Sequence, residues 1–366
     1  MHGVLKETKL IIWDEAPMQH RHAPEAVDKT IQDLLENTRL FGGITVLFVG
    51  DFRQTLPVVP RGSRAQIVDA SLRRSRLWQH VEVLHLKQNM RLDRTPESEA
   101  FAKWLLKVGE GSDLTPDKSI QLPDNMRLPQ NNVQGLINAI YPDIDQPDRE
   151  DKFFLERTIL SATNDKVHHL NQVILDSFPG EQSILMSADT VRGDNATLYT
   201  TEFLNSINAS GLPLAHLALK PGCPLMLLCN IDPTNGLCNG TRMILLEIRP
   251  MVLRCRILGG KHAGNEVFIP RITIDPSEEL PVNLFRRQFP VHLAFVMTIN
   301  KSQGQSIINV GIDLRNPVFS HGQLYVALSR CTSSNRIKVV FPDDSTTTHT
   351  SNIVFTEVLT GLINTN

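Results

Sequence analysis

Leu10-Ile11-Ile12-Trp13-Asp14-Glu15-Ala16-Pro17-Met18 carries an apolar run straight into two adjacent carboxylates. The run from Lys9 to Trp13 reads as a buried strand whose acidic end emerges at the carboxyl edge of a parallel sheet, where ligands of such sheets bind. Two neighbouring carboxylates suit an ATPase, since one holds Mg²⁺ through its water shell while the next polarises the attacking water. Taken alone, the pair equally caps a strand in solvent.

Working outward, Val27, Ile31, Leu34 and Leu35 fall on one helical face, and the apolar run Ile44 to Val49 predicts a second strand. It leads into Gly50-Asp51-Phe52-Arg53-Gln54-Thr55-Leu56-Pro57-Val58-Val59, which sets Asp51, Arg53 and Gln54 on a loop at the same sheet edge. A glutamine there can sense a γ-phosphate by hydrogen bonding; equally, Asp51 terminates the strand and Gln54 faces solvent. A helix over Ala65 to Arg74 and a strand over Val81 to Leu86 continue the alternation that marks a parallel α/β sheet. Glu97 to Val108 reads as a helix stopped by Gly109 and Gly111, and the stretches 111–130 and 141–151, rich in Pro, Asp and Asn, read as a linker.

A second α/β unit starts with strand Thr158 to Ser161 and a helix through Leu175. It resumes with strands at Val291 to Met297 and Ile308 to Ile312, helix His321 to Arg330 and strand Arg336 to Phe341. Between them, Thr241 to Ile248, Val252 to Leu258 and Val267 to Ile272 are short β-rich segments punctuated by Pro250, Gly259-Gly260 and Gly264, and read as a small all-β insert. A short Ser/Thr run at 345–351 is the main compositional bias.

With 366 residues and 41% hydrophobic content the chain can bury a sizeable core over two domains. A net charge of −2 gives no bulk attraction to nucleic acid, so any DNA site must be local. Arg73, Arg74 and Arg76 cluster, as do Arg286 and Arg287, but clusters of this size are usually solvated surface. Five cysteines without a CxxC pair suggest neither a disulfide framework nor a zinc site and fit a reducing intracellular compartment. Apolar runs are too short to span a bilayer, so no membrane partner is expected.

Taken in order, LIIWDEAPM, GDFRQTLPVV, LKQNMRL, SATNDKVHHLN, NGTRM, FPVHLAFVMTINKSQGQS and GQLYVALSR resemble the successive motifs of the Pif family of superfamily 1 DNA helicases, including plant and Helitron forms. The resemblance implies an ATP-dependent 5′-to-3′ DNA helicase with two RecA-like parallel-sheet α/β domains that close on ATP, with Mg²⁺ as cofactor. Single-stranded DNA or DNA junctions would be its partners, and the nucleus its place ahead of the mitochondrion. Carried over, Asp14 helps hold Mg²⁺, Glu15 is the catalytic base, Gln54 couples the γ-phosphate to DNA, and Gln323 joins the nucleotide contacts. Arg91 and Arg330 become arginine fingers, a role suited to a planar guanidinium that keeps its proton. Thr163, Asn164, Thr298, Lys301, Ser302 and Gln303 become DNA-backbone contacts, which position the strand without reading its sequence. Asn300 stands where many relatives have histidine, which puts a histidine-specific role there in doubt.

On this resemblance residues 1–110 form a truncated first RecA-like domain, 111–155 a linker and helical segment, and 156–366 the second domain with an SH3-like 2B insert at about 241–288. The family's phosphate-binding loop, GxxxxGK[ST], does not occur; Gly260-Lys261 is followed by His262 and lacks the leading glycine. Met1 therefore reads as an internal start. The alternative to a fragment of a working motor is a truncated, ATPase-inactive product that at most binds DNA or a partner.

Overall fold

The computed structural model describes all residues except 1, 93–94, 148, 192–198, 210, 276–281, 343–347 and 363–366, so part of the Ser/Thr run lies outside it. Strand Leu10–Trp13 pairs in parallel with Thr45–Phe48. Helix His22–Leu35 covers one face of this pair: Ile31 packs with Phe41, Ile44 and Leu77 over Ile11, Val46 and Phe48. The opposite face is open, with Leu10 49%, Ile12 64% and Leu47 44% exposed, although the run Lys9 to Trp13 reads as a buried strand. Among the described residues the sheet stops at two strands, so nothing roofs that face.

The expected strand Val81 to Leu86 is extended backbone without a ladder, and its Leu84 and Leu86 are 78% and 99% exposed. Strand propensity needs a neighbouring edge to satisfy its amides, and here none pairs with it. The Ala65 helix runs Arg64–Ala70, opened by a Ser63/Gln66 capping box, and a 3-10 turn at Leu72–Arg74 completes the expected stretch. Helix Pro96–Glu110 is capped by Thr95 and ended by Gly111 in the left-handed conformation.

The second unit is a four-stranded parallel sheet in the order Val296–Thr298, Arg157–Ser161, Asn309–Asp313, Ile337–Val340. Helix Asn164–Ser177 buries Val167, Leu170, Ile174 and Leu175. Part of the expected linker joins this core, since helix Val133–Ile140 buries Leu136, Ile137 and Ile140 beside Ile159. The single strand expected at Val291 to Met297 divides at Ala294-Phe295. Val291–Leu293 pairs antiparallel with Pro224–Leu227, whereas Val296–Thr298 joins the parallel sheet.

The β-rich segments do form strands, as Arg242–Ile248, Val252–Ile257 and Glu266–Pro270. With Pro224–Leu227 and Val291–Leu293 they make a five-stranded antiparallel sheet. A smaller sheet of Ile272–Ile274, Leu284–Gln288 and Ala188–Val191 holds the fully buried Arg286, whose guanidinium pairs with Asp189 and also donates to the Leu204, Ile207 and Pro213 carbonyls. That cluster residue is thus structural rather than solvated. Among the described residues no helix is long and apolar enough to cross a membrane.

Candidate functional site

The first strand delivers Asp14 and Glu15 to the sheet edge as expected. Glu15 takes φ 49° and ψ 36°, a left-handed conformation that costs free energy in a residue with a Cβ, and its amide donates to Asp14 Oδ1 at 2.9 Å. The neighbouring loop is pressed against it at Gly50, where an added Cβ would lie 2.3 Å from Pro17 Cδ. Asp14 stands exposed at this edge, and among the described residues no group of three or more metal-ligating side chains gathers, so Mg²⁺ here would need waters and phosphate oxygens beside this one carboxylate.

The Glu15 carboxylate accepts a hydrogen bond from Gln303 Nε2 at 3.1 Å, and Gln303 Oε1 in turn accepts from Thr55 Oγ1 at 2.5 Å. Gln54 precedes that threonine, and its amide oxygen is buried without a partner, an arrangement that costs free energy unless a ligand supplies a donor. Arg330 is buried and held by four acceptors: Nε donates to the Val326 carbonyl, Nη1 to those of Ser302 and Gln305, and Nη2 to Ser329 Oγ. Burial foremost, with the charge of Arg91, lowers its pKa to about 10, while Glu15 acts against both. It stays cationic at neutral pH without a carboxylate in contact. Arg91, itself exposed, reaches the Ser329 carbonyl at 3.0 Å. Glu15, Gln54, Arg91 and Arg330 are therefore joined through Thr55, Gln303 and the Ser302 and Ser329 backbones.

Gln323 is placed differently from its expected nucleotide role. Its buried amide accepts from the Phe319 and Ser320 amides and donates to Asn300 Oδ1 at 3.2 Å, which makes it a brace for two loops. Two expected DNA contacts are also redirected. Ser302 is fully buried and donates to the Ile299 carbonyl, and Gln303 faces Glu15. Both lie on a tight 3-10 turn over Asn300–Ser302 and its exit, where successive side chains diverge by about a third of a turn. Asn164, Thr298 and Lys301 do line one cavity of about 210 Å³, together with His168, His292 and Leu212. Thr163 precedes Asn164, half-buried, as the N-cap residue of helix Asn164–Ser177 without a capping side-chain bond.

The motif residues alone did not single out the ring that joins the two units. Tyr325 donates to Asp51 Oδ2 at 2.9 Å, Arg53 pairs with Asp51 and Glu110, and His321 Nε2 donates to the Phe52 carbonyl at 2.8 Å. Gly322 closes it: a Cβ there would lie 2.4 Å from the Arg53 carbonyl oxygen, at φ 72°.

Two family models match the chain, PIF1-like helicase over residues 1–132 and the DNA helicase Pif1 2B domain over residues 202–248. The second begins upstream of the segments expected to form that insert. ATP-dependent DNA helicase Pif1 of Psychrobacter sp. (strain PRwf-1) is 26% identical over 93% of this chain and 54% of its own length. ATP-dependent DNA helicase PIF1 of Danio rerio is 27% identical over 92% of this chain and 47% of its own length. The chain thus spans about half the length of these curated relatives. The Pif1 helicase from Candida albicans superposes with a TM-score of 0.61 at 24% identity, over 93% of this chain and 74% of that one. The Bacteroides Pif1 helicase in complex with ADP-AlF3 and ssDNA gives 0.67 at 20% identity, over 98% and 75%; these two likenesses speak for the fold. Motif order, α/β architecture and the two family matches agree in likening the chain to PIF1-like helicases over residues 1–132 and 202–248.

Proposed function

We propose that this chain belongs to an ATP-dependent 5′-to-3′ DNA helicase motor. The observation that carries the reading is the hydrogen-bonded path from Glu15 through Gln303 and the Ser302 backbone to Arg330, which joins a carboxylate and a guanidinium 315 positions apart at one prospective γ-phosphate site. Glu15 takes the proton of the attacking water, Asp14 would hold Mg²⁺ through water, and Arg91 and Arg330 stabilise charge on the transferring phosphoryl group. Gln54, on the loop beside Thr55, would couple the γ-phosphate to DNA through its amide NH₂, the donor of that side chain. Mg²⁺, when bound, neutralises the phosphates. Single-stranded DNA, ATP and the nucleus as the place of action belong to the same proposal, as do the domain limits 1–110, 111–155 and 156–366.

These residues include no GxxxxGK[ST], which favours a second reading in which the chain alone binds DNA without hydrolysing ATP. DNA-stimulated phosphate release, measured on the 366 residues alone and on a chain restored with such a loop upstream, separates the two. Turnover is expected only in the restored chain, where Glu15→Gln removes it while nucleotide binding persists. Persistent turnover in Glu15→Gln would refute the assignment of the base.

A further inference from the structure

In the cavity beside Asn164 and Thr298, the half-buried Lys301 Nζ lies 3.0 Å from His292 Nε2. His292 Nδ1 lies 2.6 Å from the Leu293 carbonyl oxygen, which only accepts, so Nδ1 carries the proton and Nε2 is left as a bare acceptor. The ring is buried, and burial followed by the Lys301 charge lowers its pKa to about 3, in keeping with that neutral tautomer. His168, which also lines the cavity, is lowered for the same two reasons, with Asp165 acting against them. Burial lowers the Lys301 pKa as well, and no carboxylate among the described residues offsets it. The ammonium therefore sits beside a cavity with a neutral acceptor as its partner in place of a counter-ion.

A lysine has a flexible four-carbon stem and three ammonium donors. Spending one donor on His292 fixes the stem and leaves the others for a ligand, so less side-chain entropy is lost when an anion arrives. His292 belongs to strand Val291–Leu293 of the antiparallel sheet, whereas Lys301 follows the parallel strand Val296–Thr298.

We propose that His292 is a positioning residue, a neutral acceptor that holds the Lys301 ammonium in place for one backbone phosphate of single-stranded DNA. The proposal rests on the reading of this face as the one that grips DNA. Its test is a titration of a labelled oligo-dT strand with the 366-residue chain at two salt concentrations, comparing wild type with K301M, H292N and H292Q. K301M is expected to bind about tenfold more weakly. Its log–log salt slope should be shallower by roughly 0.7, the loss of one phosphate contact. H292N keeps a donor for the Leu293 carbonyl but stops short of Lys301, and should lose as much. H292Q reaches Lys301 with its amide oxygen and should bind as wild type does. If H292N melts early, H292L, which fills the space without accepting, takes its place in the same comparison. Unchanged binding by K301M would remove the DNA reading of this face and the proposal with it. Weak binding by K301M with wild-type binding by H292N, or with H292Q as weak as H292N, would overturn the proposal alone.

Discussion

His292 links the proposed DNA face to stability, because its folded ring refuses a proton that the unfolded chain accepts. The folded pKa, about 3, lies below the ordinary 6.5, so the stability it confers is present above about 6.5 and is lost as pH falls. The loss approaches ~1.4 kcal/mol per pH unit while only the unfolded form protonates. His321 and His168 are lowered by burial too and act with the same sign. We expect the melting temperature to fall between about pH 7 and pH 5, and less steeply in H292Q; a melting temperature flat across that range would contradict the buried neutral ring. At this scale the sequence singled out Asp14, Glu15, Gln54, Arg91, Arg330 and Lys301 as candidates but could not orient them. The order Lys301, Ser302, Gln303 contains nothing that says the serine turns inward and the glutamine crosses to Glu15. That orientation is decided by a single 3-10 turn, whose side chains point in three directions.

Elements were legible where periodicity and caps agreed, as for helices Asn164–Ser177 and Pro96–Glu110 and the strands of both parallel sheets. They were not legible where an element depends on a neighbour distant in sequence. Val81 to Leu86 has the residues of a strand and lacks a partner edge, and the Val291 to Met297 run is shared between two sheets. The two-stranded Leu10–Trp13 and Thr45–Phe48 sheet shows the same dependence, for its uncovered face presents Leu10, Ile12 and Leu47 to water. Contiguous exposed apolar surface next to open strand edges invites association. We expect the isolated chain to bind an apolar dye and to self-associate, and the I12K/L47K variant to do both less while melting within ~1 kcal/mol of wild type. Equal dye binding by the two proteins would show that this face is covered in solution.

Across the whole molecule the two α/β units meet through Tyr325 and Asp51, His321 and the Phe52 carbonyl, and Arg64 with Glu357. The chain's end returns to the first unit, with Phe355, Val358 and Leu359 packed on Leu56 and Val68. A double-mutant cycle between Asp51→Asn and Tyr325→Phe is expected to show a coupling of about 1 kcal/mol in thermal unfolding. Additive losses would mean that the contact does not hold the units together. Sequence order of the motifs forecast that these units share a site; the ring itself was hidden because each partner, read singly, passes for core or turn. Gly322 adds something a hydrogen bond cannot. With the Arg53 carbonyl oxygen 2.4 Å from where its Cβ would be, backbone rests on backbone and no rotamer lies between to take up slack. A hydrogen bond stretches before it transmits force, whereas this contact is stiff in compression. A push on the Gln54 loop is therefore passed to the start of helix Gln323–Ser329, whose far end carries Arg330.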